Sequence, residues 1–216
     1  MAKAVVFDFD GVIVKSEPLH YRTFREALAP LGVRIDRRRW YRDFAGTGSH
    51  NIISRLLEEH GVKADVDALV EKRKGLFSRR VEEGKLRPTR GLRAFLRKIR
   101  KRGIKTAIAS GGHTQNITLI LERLGLLGQF DAVVGGEEAR NRKPHPEIFL
   151  RAAEKLGLEP RECVAVEDSI PGAESASRAG MELVCFDSPA RKDLNSPCAK
   201  VINSFSEFPL KLLDGF

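Results

Sequence analysis

Six short apolar runs, each followed by a polar or glycine-rich turn, constrain this chain more than any other feature of its sequence. The first is Ala4–Phe7, which stops at Asp8, Phe9, Asp10 and Gly11. Residues 106–109 run into Ser110, Gly111 and Gly112, and Ala132–Val134 into Gly135 and Gly136. Residues 163–166 run into Glu167, Asp168 and Ser169, residues 183–186 into Asp187, and a last short run covers 201–202. A strand reads as a continuous apolar run when both its faces are buried. Helical spacing lies between the runs: Leu92, Phe95, Leu96 and Ile99, then Ile117, Leu121 and Leu124, then Ile148, Phe149, Ala152, Ala153 and Leu156. Residues 171–179 are rich in small side chains that suit close helix–sheet packing, and Ser204 with Glu207 reads as the capping box of a last helix. Strand–helix alternation of this kind predicts an α/β fold: a Rossmann-like parallel sheet with helices on both faces.

One stretch breaks the alternation. Residues 16–86 carry helical spacing over 19–31, 52–59 and 66–83 and no convincing strand. An insertion of this size is expected to form a small helical subdomain. It leaves the first strand at its carboxyl end, where the ligands of open α/β sheets bind. The expected organisation is a core domain over 1–15 and 87–216, with 16–86 as a helical cap over the active site.

Composition narrows the function. Apolar residues make up 42% and charged residues 31% of the 216, which excludes a disordered, collagen-like or disulfide-stapled chain. No apolar run approaches the roughly 18 residues that span a bilayer, and aspartates interrupt the N-terminal apolar stretch, so neither a membrane span nor a signal peptide is expected. Cys163, Cys185 and Cys198 form no CxxC pair. Neither a disulfide framework nor a zinc site is expected of them, and a reducing cytoplasm is the expected compartment. Thirty-eight basic residues against 29 acidic ones give a net charge of +9. A polyanion-binding protein would carry such a charge, yet no aromatic residues interleave the basic runs as a base-stacking surface requires. No nucleic acid partner is expected, and a monomer is favoured; the positive field suits a small phosphorylated molecule.

The polar residues that follow the apolar runs carry the chemistry. Asp8 and Asp10 follow the first strand, Ser110 the second, and Glu167 and Asp168 a later one, while Lys143 lies in a loop just before a helix. In a parallel sheet these groups converge on one edge. Carboxylates that close together repel unless something compensates, and a hard divalent cation with oxygen ligands, magnesium, is the natural answer. One aspartate is then available to attack phosphorus, and a second, two residues on, to pass a proton to the leaving oxygen. The charge on the transferring phosphoryl group calls for the cation, a lysine, a hydroxyl and backbone amides, which Gly11, Gly111 and Gly112 let approach closely.

Asp8-Phe-Asp10-Gly-Val, Ser110, Lys143-Pro and Glu167-Asp168, in this order, resemble the four motifs of the haloacid dehalogenase superfamily. The resemblance covers essentially the whole chain. Residues 10–20, Ser169-x-x-Gly172 and Ala176-x-x-Ala179-Gly180-Met181 look like the capped, beta-phosphoglucomutase-like phosphatase branch. The resemblance implies that Asp8 is the nucleophile and a metal ligand, and that Asp10 is the general acid and base and binds metal through its carbonyl. It further implies that Ser110 and Lys143 hold the phosphoryl group, with Gly11 and Gly111 beside it. Asp168 would ligate magnesium, and Glu167 would hold metal-bound water. His20 is either a substrate contact or a structural residue near the hinge. His50, His60 and His113 show no ligand spacing, and Trp40 and Tyr41 are expected in the cap core.

The expected function is a magnesium-dependent phosphatase that hydrolyses small phosphorylated metabolites, such as sugar phosphates, through a phosphoaspartate. The alternative is a beta-phosphoglucomutase-type phosphotransferase. Such mutases carry an Arg in the cap loop, whereas this chain has Gly46-Thr-Gly-Ser49-His; after the second strand their Ser-x-Ser-x-Asn is Ser110-Gly-Gly112-His-Thr114 here. Both departures favour the hydrolase.

Overall fold

The computed structural model describes residues 2–44, 47–84, 86–187 and 198–213. In chain order its elements are β1 (Ala4–Phe7), α1 (Glu17–Leu28), α2 (Arg37–Arg39), α3 (Ser49–Glu59), α4 (Val66–Glu82), α5 (Leu92–Arg100) and β2 (Lys105–Ala109). They continue with α6 (Thr114–Arg123), β3 (Ala132–Val134), α7 (Glu147–Leu156), β4 (Cys163–Glu167), α8 (Ile170–Arg178), β5 (Glu182–Phe186) and β6 (Lys200–Ile202). The chain divides into two compact units, Met1–Lys15 with Leu86–Phe216, and Ser16–Lys85.

In the first unit the described strands form a single parallel sheet in the order β3-β2-β1-β4-β5-β6. The chain steps outward from β1 to β3, then returns to the other side of β1 with β4. The direction of winding therefore reverses between β1 and β4, and such a switch point opens a crevice at the carboxyl ends of the strands. Phe7 pairs in register with Ile108 on one side and with Val166 on the other. The next residues, Asp8, Ala109 and Glu167, consequently emerge level with one another at that edge.

All four residues of β1 are fully buried, because each face of the sheet is covered. Ala4 and Val6 belong to a core shared with Phe149, Ala152, Ala173 and Ala176 of α7 and α8, where small side chains bring the helices close. Side chains alternate along a strand, so Phe7 points to the opposite face. There its ring centroid lies 6.2 Å from that of Phe95, 5.9 Å from Phe130 and 5.8 Å from Phe205.

The second unit has its own core, with Phe24, Leu28, Trp40, Phe44, Ile53 and Leu56 at its centre. Trp40 is buried as expected, and its Nε1 donates to Glu17 Oε2 at 2.8 Å. Asp65 starts α4 by accepting from the Ala68 amide at 3.1 Å. Gly46, part of the loop used above to weigh the mutase alternative, lies outside the described residues. No described helix in either unit is long and apolar enough to cross a membrane.

Four local expectations need correction. The helix expected over 19–31 ends at Leu28 and tightens into a 3-10 turn over Ala29–Leu31, since Pro30 lacks an N–H and its ring clashes with the preceding turn. Residues 37–44, left without structure by the sequence pattern, form α2 and a π-helical turn, Trp40–Phe44, with Asp36 accepting from the Arg39 amide at 2.9 Å. The last helix is only a 3-10 turn, Phe205–Glu207. Finally, Cys185 and Cys198 form a disulfide, where reduced cysteines were expected. The parallel pairing of β5 and β6, with the Ala199 amide donating to Leu183 O at 2.8 Å, brings their Cα atoms to 5.9 Å.

The Phe95 ring contacts Phe7, Phe205 and Phe208, the last at a centroid distance of 4.5 Å. Phe95→Ala is expected to cost about 3–4 kcal/mol of unfolding free energy, because the cavity it leaves is enclosed by these rigid rings. Urea denaturation measures this; a loss below about 1 kcal/mol would show that the cluster collapses to fill the space.

Candidate active site

Lys143 is the centre of the carboxylate cluster. Its Nζ donates to Asp8 Oδ1 at 2.6 Å, to Glu167 Oε1 at 2.8 Å and to the Ala109 carbonyl at 3.1 Å. An ammonium has three protons, and these three acceptors use them all. The alkyl stem brings the charge to 4.8 Å from the centre of the Phe149 ring. The acceptors come from the ends of three adjacent strands, β1, β2 and β4, so the lysine joins the sheet edge across the switch point.

The cluster is buried and carries more negative than positive charge. Burial pushes the Asp8 carboxyl up to about 7; Lys143 opposes this shift, and the charges of Glu167 and Asp10 add to it. For Lys143 burial acts to lower the pKa, but the charges and hydrogen bonds of Asp8 and Glu167 carry it above the ordinary lysine value. Glu167 is almost fully buried, and its Oε2 accepts from the amides of Asp168 at 2.7 Å and Ser169 at 2.8 Å and from the Ser169 hydroxyl at 3.0 Å.

Asp8, Glu167 and Asp168 each offer a carboxylate oxygen within 4.8 Å of the others. An all-oxygen donor set with surplus negative charge fits a hard divalent cation such as magnesium. Two glycines make room for it. A Cβ on Gly11 would lie 2.0 Å from Asp168 Oδ2, and one on Gly172 would lie 1.7 Å from Glu167 Oε1. Gly11 also has φ +87°, a conformation that favours glycine.

The other expected residues fall as follows. Asp10 is close enough to Asp8 to raise its pKa. Gly11, expected to bring an amide to the ligand, donates that amide to Val14 O at 2.7 Å; its missing Cβ serves Asp168 instead. Ser110 is buried one residue beyond Ala109, and its Oγ accepts from the Gly112 amide at 3.0 Å. A Cβ on Gly111 would meet nothing. His20 lies in the helical unit, stacked on Phe77 at 4.5 Å and bonded through Nδ1 to Arg73.

The sequence reading missed the residues that hold the Lys143 loop. Glu147, at the start of α7, accepts from the Arg140 and Asn141 amides, both at 3.0 Å, and from Asn141 Nδ2 at 3.1 Å. Arg151 clamps the same carboxylate from one turn along the helix, at 3.1 Å. From α8, Ser175 Oγ donates to the His145 carbonyl at 2.7 Å and Arg178 to that of Pro144 at 3.2 Å. Only the acidic residue at a helix start was a readable signal, because such a residue often captures nearby backbone amides.

Comparison with known proteins adds the following. A family model described as haloacid dehalogenase-like hydrolase matches residues 2–180. The phosphorylated carbohydrates phosphatase of Thermotoga maritima is 31% identical over 186 residues, covering 84% of this chain and 83% of that protein. Hexitol phosphatase B of Escherichia coli is 28% identical over 98% of this chain and 96% of its own. The crystal structure of CbbY from Rhodobacter sphaeroides in complex with phosphate superposes with a TM-score of 0.86 at 26% identity, covering both chains fully.

The Glu147 anchor has a pH signature. The Arg140 amide, and next the Asn141 amide, lower its carboxyl from 4.5 to about 2. A depressed carboxylate stabilises the fold above its unfolded pKa and ceases to do so as pH falls through its folded pKa. Glu147→Gln is therefore expected to lower the melting temperature at pH 7, by a margin that shrinks between about pH 4.5 and 2. Melting curves of both proteins across that range test it; a margin that does not change with pH would refute the anchor.

Proposed function

The chain belongs to the haloacid dehalogenase-like hydrolases, and we propose that it is a magnesium-dependent phosphatase of small phosphorylated metabolites, sugar phosphates foremost. The observation that carries this reading is the buried Asp8, held at 2.6 Å by a lysine that also bonds Glu167. Support for sugar phosphates comes from relatives named for phosphorylated carbohydrates and hexitols.

Asp8, Asp168 and the Asp10 carbonyl would hold magnesium, with Glu167 beside them. When bound, the ion supplies the positive charge that this cluster lacks and polarises the phosphoryl oxygens. The chain's own residues do the rest. Lys143 fixes one oxygen of Asp8 and opposes its protonation, and the carboxylate attacks phosphorus. The P–O bond to the leaving alcohol breaks as Asp10 protonates that oxygen. Lys143 and the Ser110 hydroxyl take up charge on the transferring phosphoryl group. Asp10, now a base, deprotonates the water that cleaves the phosphoaspartate, which returns Asp8 and releases phosphate. In this reading the helical unit, spliced in just after the Asp8–Asp10 loop, is the cap that selects the substrate.

A panel of sugar phosphates, with free phosphate followed in the presence of magnesium, tests the reading. Phosphate release is expected from the wild type, and a loss of about 10⁴-fold or more for Asp8→Asn, since an amide cannot attack. Interconversion of sugar phosphates without phosphate release would replace the hydrolase by the mutase. An Asp8→Asn variant within about tenfold of the parent would remove the nucleophile assignment.

Metal removal makes a separate prediction. EDTA is expected to abolish turnover and magnesium to restore it. Calcium is expected to inhibit, because its looser coordination by six to eight oxygens can draw both oxygens of a nucleophilic carboxylate to the ion. Full activity in EDTA, or normal rates with calcium, would contradict the proposal.

A further inference from the structure

The helical unit contains a cavity of about 940 Å³, and its chemistry is unlike that of the carboxylate cluster. One wall is a face of α1, where Tyr21 and Arg25 lie four residues apart with Arg22 beside them, continued by Ala29 just past the helix end. The other wall is the segment that turns at Gly32 and runs on to Arg37. Along it Val33 and Ile35 are buried while Arg34 and Asp36 are exposed, so one side of the segment enters the core and the other remains outside. The Tyr21 hydroxyl donates to the Ile35 carbonyl at 3.2 Å, which ties the two walls together.

Four arginines, Arg22, Arg25, Arg34 and Arg37, line this cavity. None of them takes part in an ion pair or side-chain hydrogen bond among the described residues. Several other arginines of the unit are paired, although among the described residues Arg38 and Arg79 are not. Arg39 and Arg55 pair with Glu59, Arg42 with Asp43, and Arg80 with Glu26 and Glu83. The two acidic residues in the lining are already engaged, Glu26 by Arg80 and Asp36 by the Arg39 amide. Arg25 lies over the Tyr21 ring at 5.4 Å, which orients its guanidinium. A concave surface with a surplus of one sign of charge, here four arginines against Glu26 and Asp36, favours a counter-ion, and guanidinium forks match phosphate oxygens.

We propose that this cavity is a binding site for a small anion carrying a polyphosphate chain, separate from the catalytic carboxylates. Its volume exceeds what a single phosphate fills, and guanidiniums on both walls suit an anion charged at more than one point. Two sources share this chemistry: an inorganic polyphosphate, held by the arginines alone, and a nucleoside triphosphate, whose base could also stack on an aromatic ring such as Tyr21. The inference is independent of the phosphatase reading, since no residue is common to the two sites.

The test is calorimetric titration of the full chain with tripolyphosphate and, separately, with ATP, in EDTA at low salt. The wild type is expected to bind both, with an affinity that falls as salt rises. Arg25→Ser/Arg34→Ser is expected to bind at least about tenfold more weakly, as the loss of two charge-assisted contacts requires. Arg22→Ser/Arg37→Ser serves as an independent second variant and is expected to lose affinity too. Both variants should melt within a few degrees of the wild type and hydrolyse small substrates within about twofold of it, because the four side chains make no ion pair or side-chain hydrogen bond among the described residues. Tighter binding of ATP than of tripolyphosphate supports a nucleotide as the source, and equal binding supports the polyphosphate chain alone. No binding by the wild type, or equal binding by the wild type and either variant, would overturn the site.

Discussion

Three acceptors on one ammonium hold the carboxyl edge of the sheet together. Lys143 arrives on a loop 135 residues away from Asp8 in sequence, and its three protons are taken by Asp8, Glu167 and the Ala109 carbonyl. Each acceptor ends a different strand, so the ion pair depends on the parallel register that brings those ends level. The dependence also runs the other way. Without the lysine, two buried carboxylates would face each other across the crevice, and a buried charge that has lost its partner is strongly destabilising. Packing of the sheet and neutralisation of its edge are therefore one problem, and Phe149 contributes to both: it is fully buried in the core, with its ring face beneath the lysine.

Glycine carries the same argument down to single atoms. The carboxylates of Asp168 and Glu167 occupy space that a Cβ on Gly11 or Gly172 would need. Substituting either one would displace a carboxylate of the cluster, because the obstruction is the carboxylate oxygen itself. The Lys143 loop is fixed just as firmly, by Glu147 on one side and by Ser175 and Arg178 on the other. Preorganisation of this kind lets a site act on developing charge without rearranging at the moment of reaction.

What the sequence made legible follows from where the information lies. Asp8, Ser110, Glu167 and Asp168 each come directly after an apolar run, so a local pattern places them at strand ends, and the parallel fold does the rest. Lys143 was legible through its Lys-Pro context and its family resemblance. Glu147, Ser175 and Arg178 were not, since their partners are backbone groups whose positions exist only after α7 and α8 dock. The Cys185–Cys198 bond was hidden for a similar reason: a spacing of 13 residues means nothing until β5 and β6 are known to be neighbours. The break at Pro30 is a single-residue signal set against apolar spacing that continues through residue 31.

The electrostatics of Asp8 connect fold to chemistry. Under the proposed mechanism Asp8 must be ionised to attack, yet burial pushes it up to about 7, and the charges of Glu167 and Asp10 act in the same direction. Among the described residues Lys143 is the one lysine bonded to it, and Lys143 is shared with Glu167. One positive charge divided between two carboxylates cannot fully offset the burial of both. The cluster is thus built with a deficit of positive charge at the point where an anionic phosphoryl group would have to approach. A divalent cation among Asp8, Glu167 and Asp168 would remove that deficit and favour an ionised Asp8, and a monovalent charge would leave part of it in place. The basic cavity on the helical unit presents the inverse arrangement, four arginines against two carboxylates. In both places the surplus charge of the lining indicates the sign of what it is suited to bind.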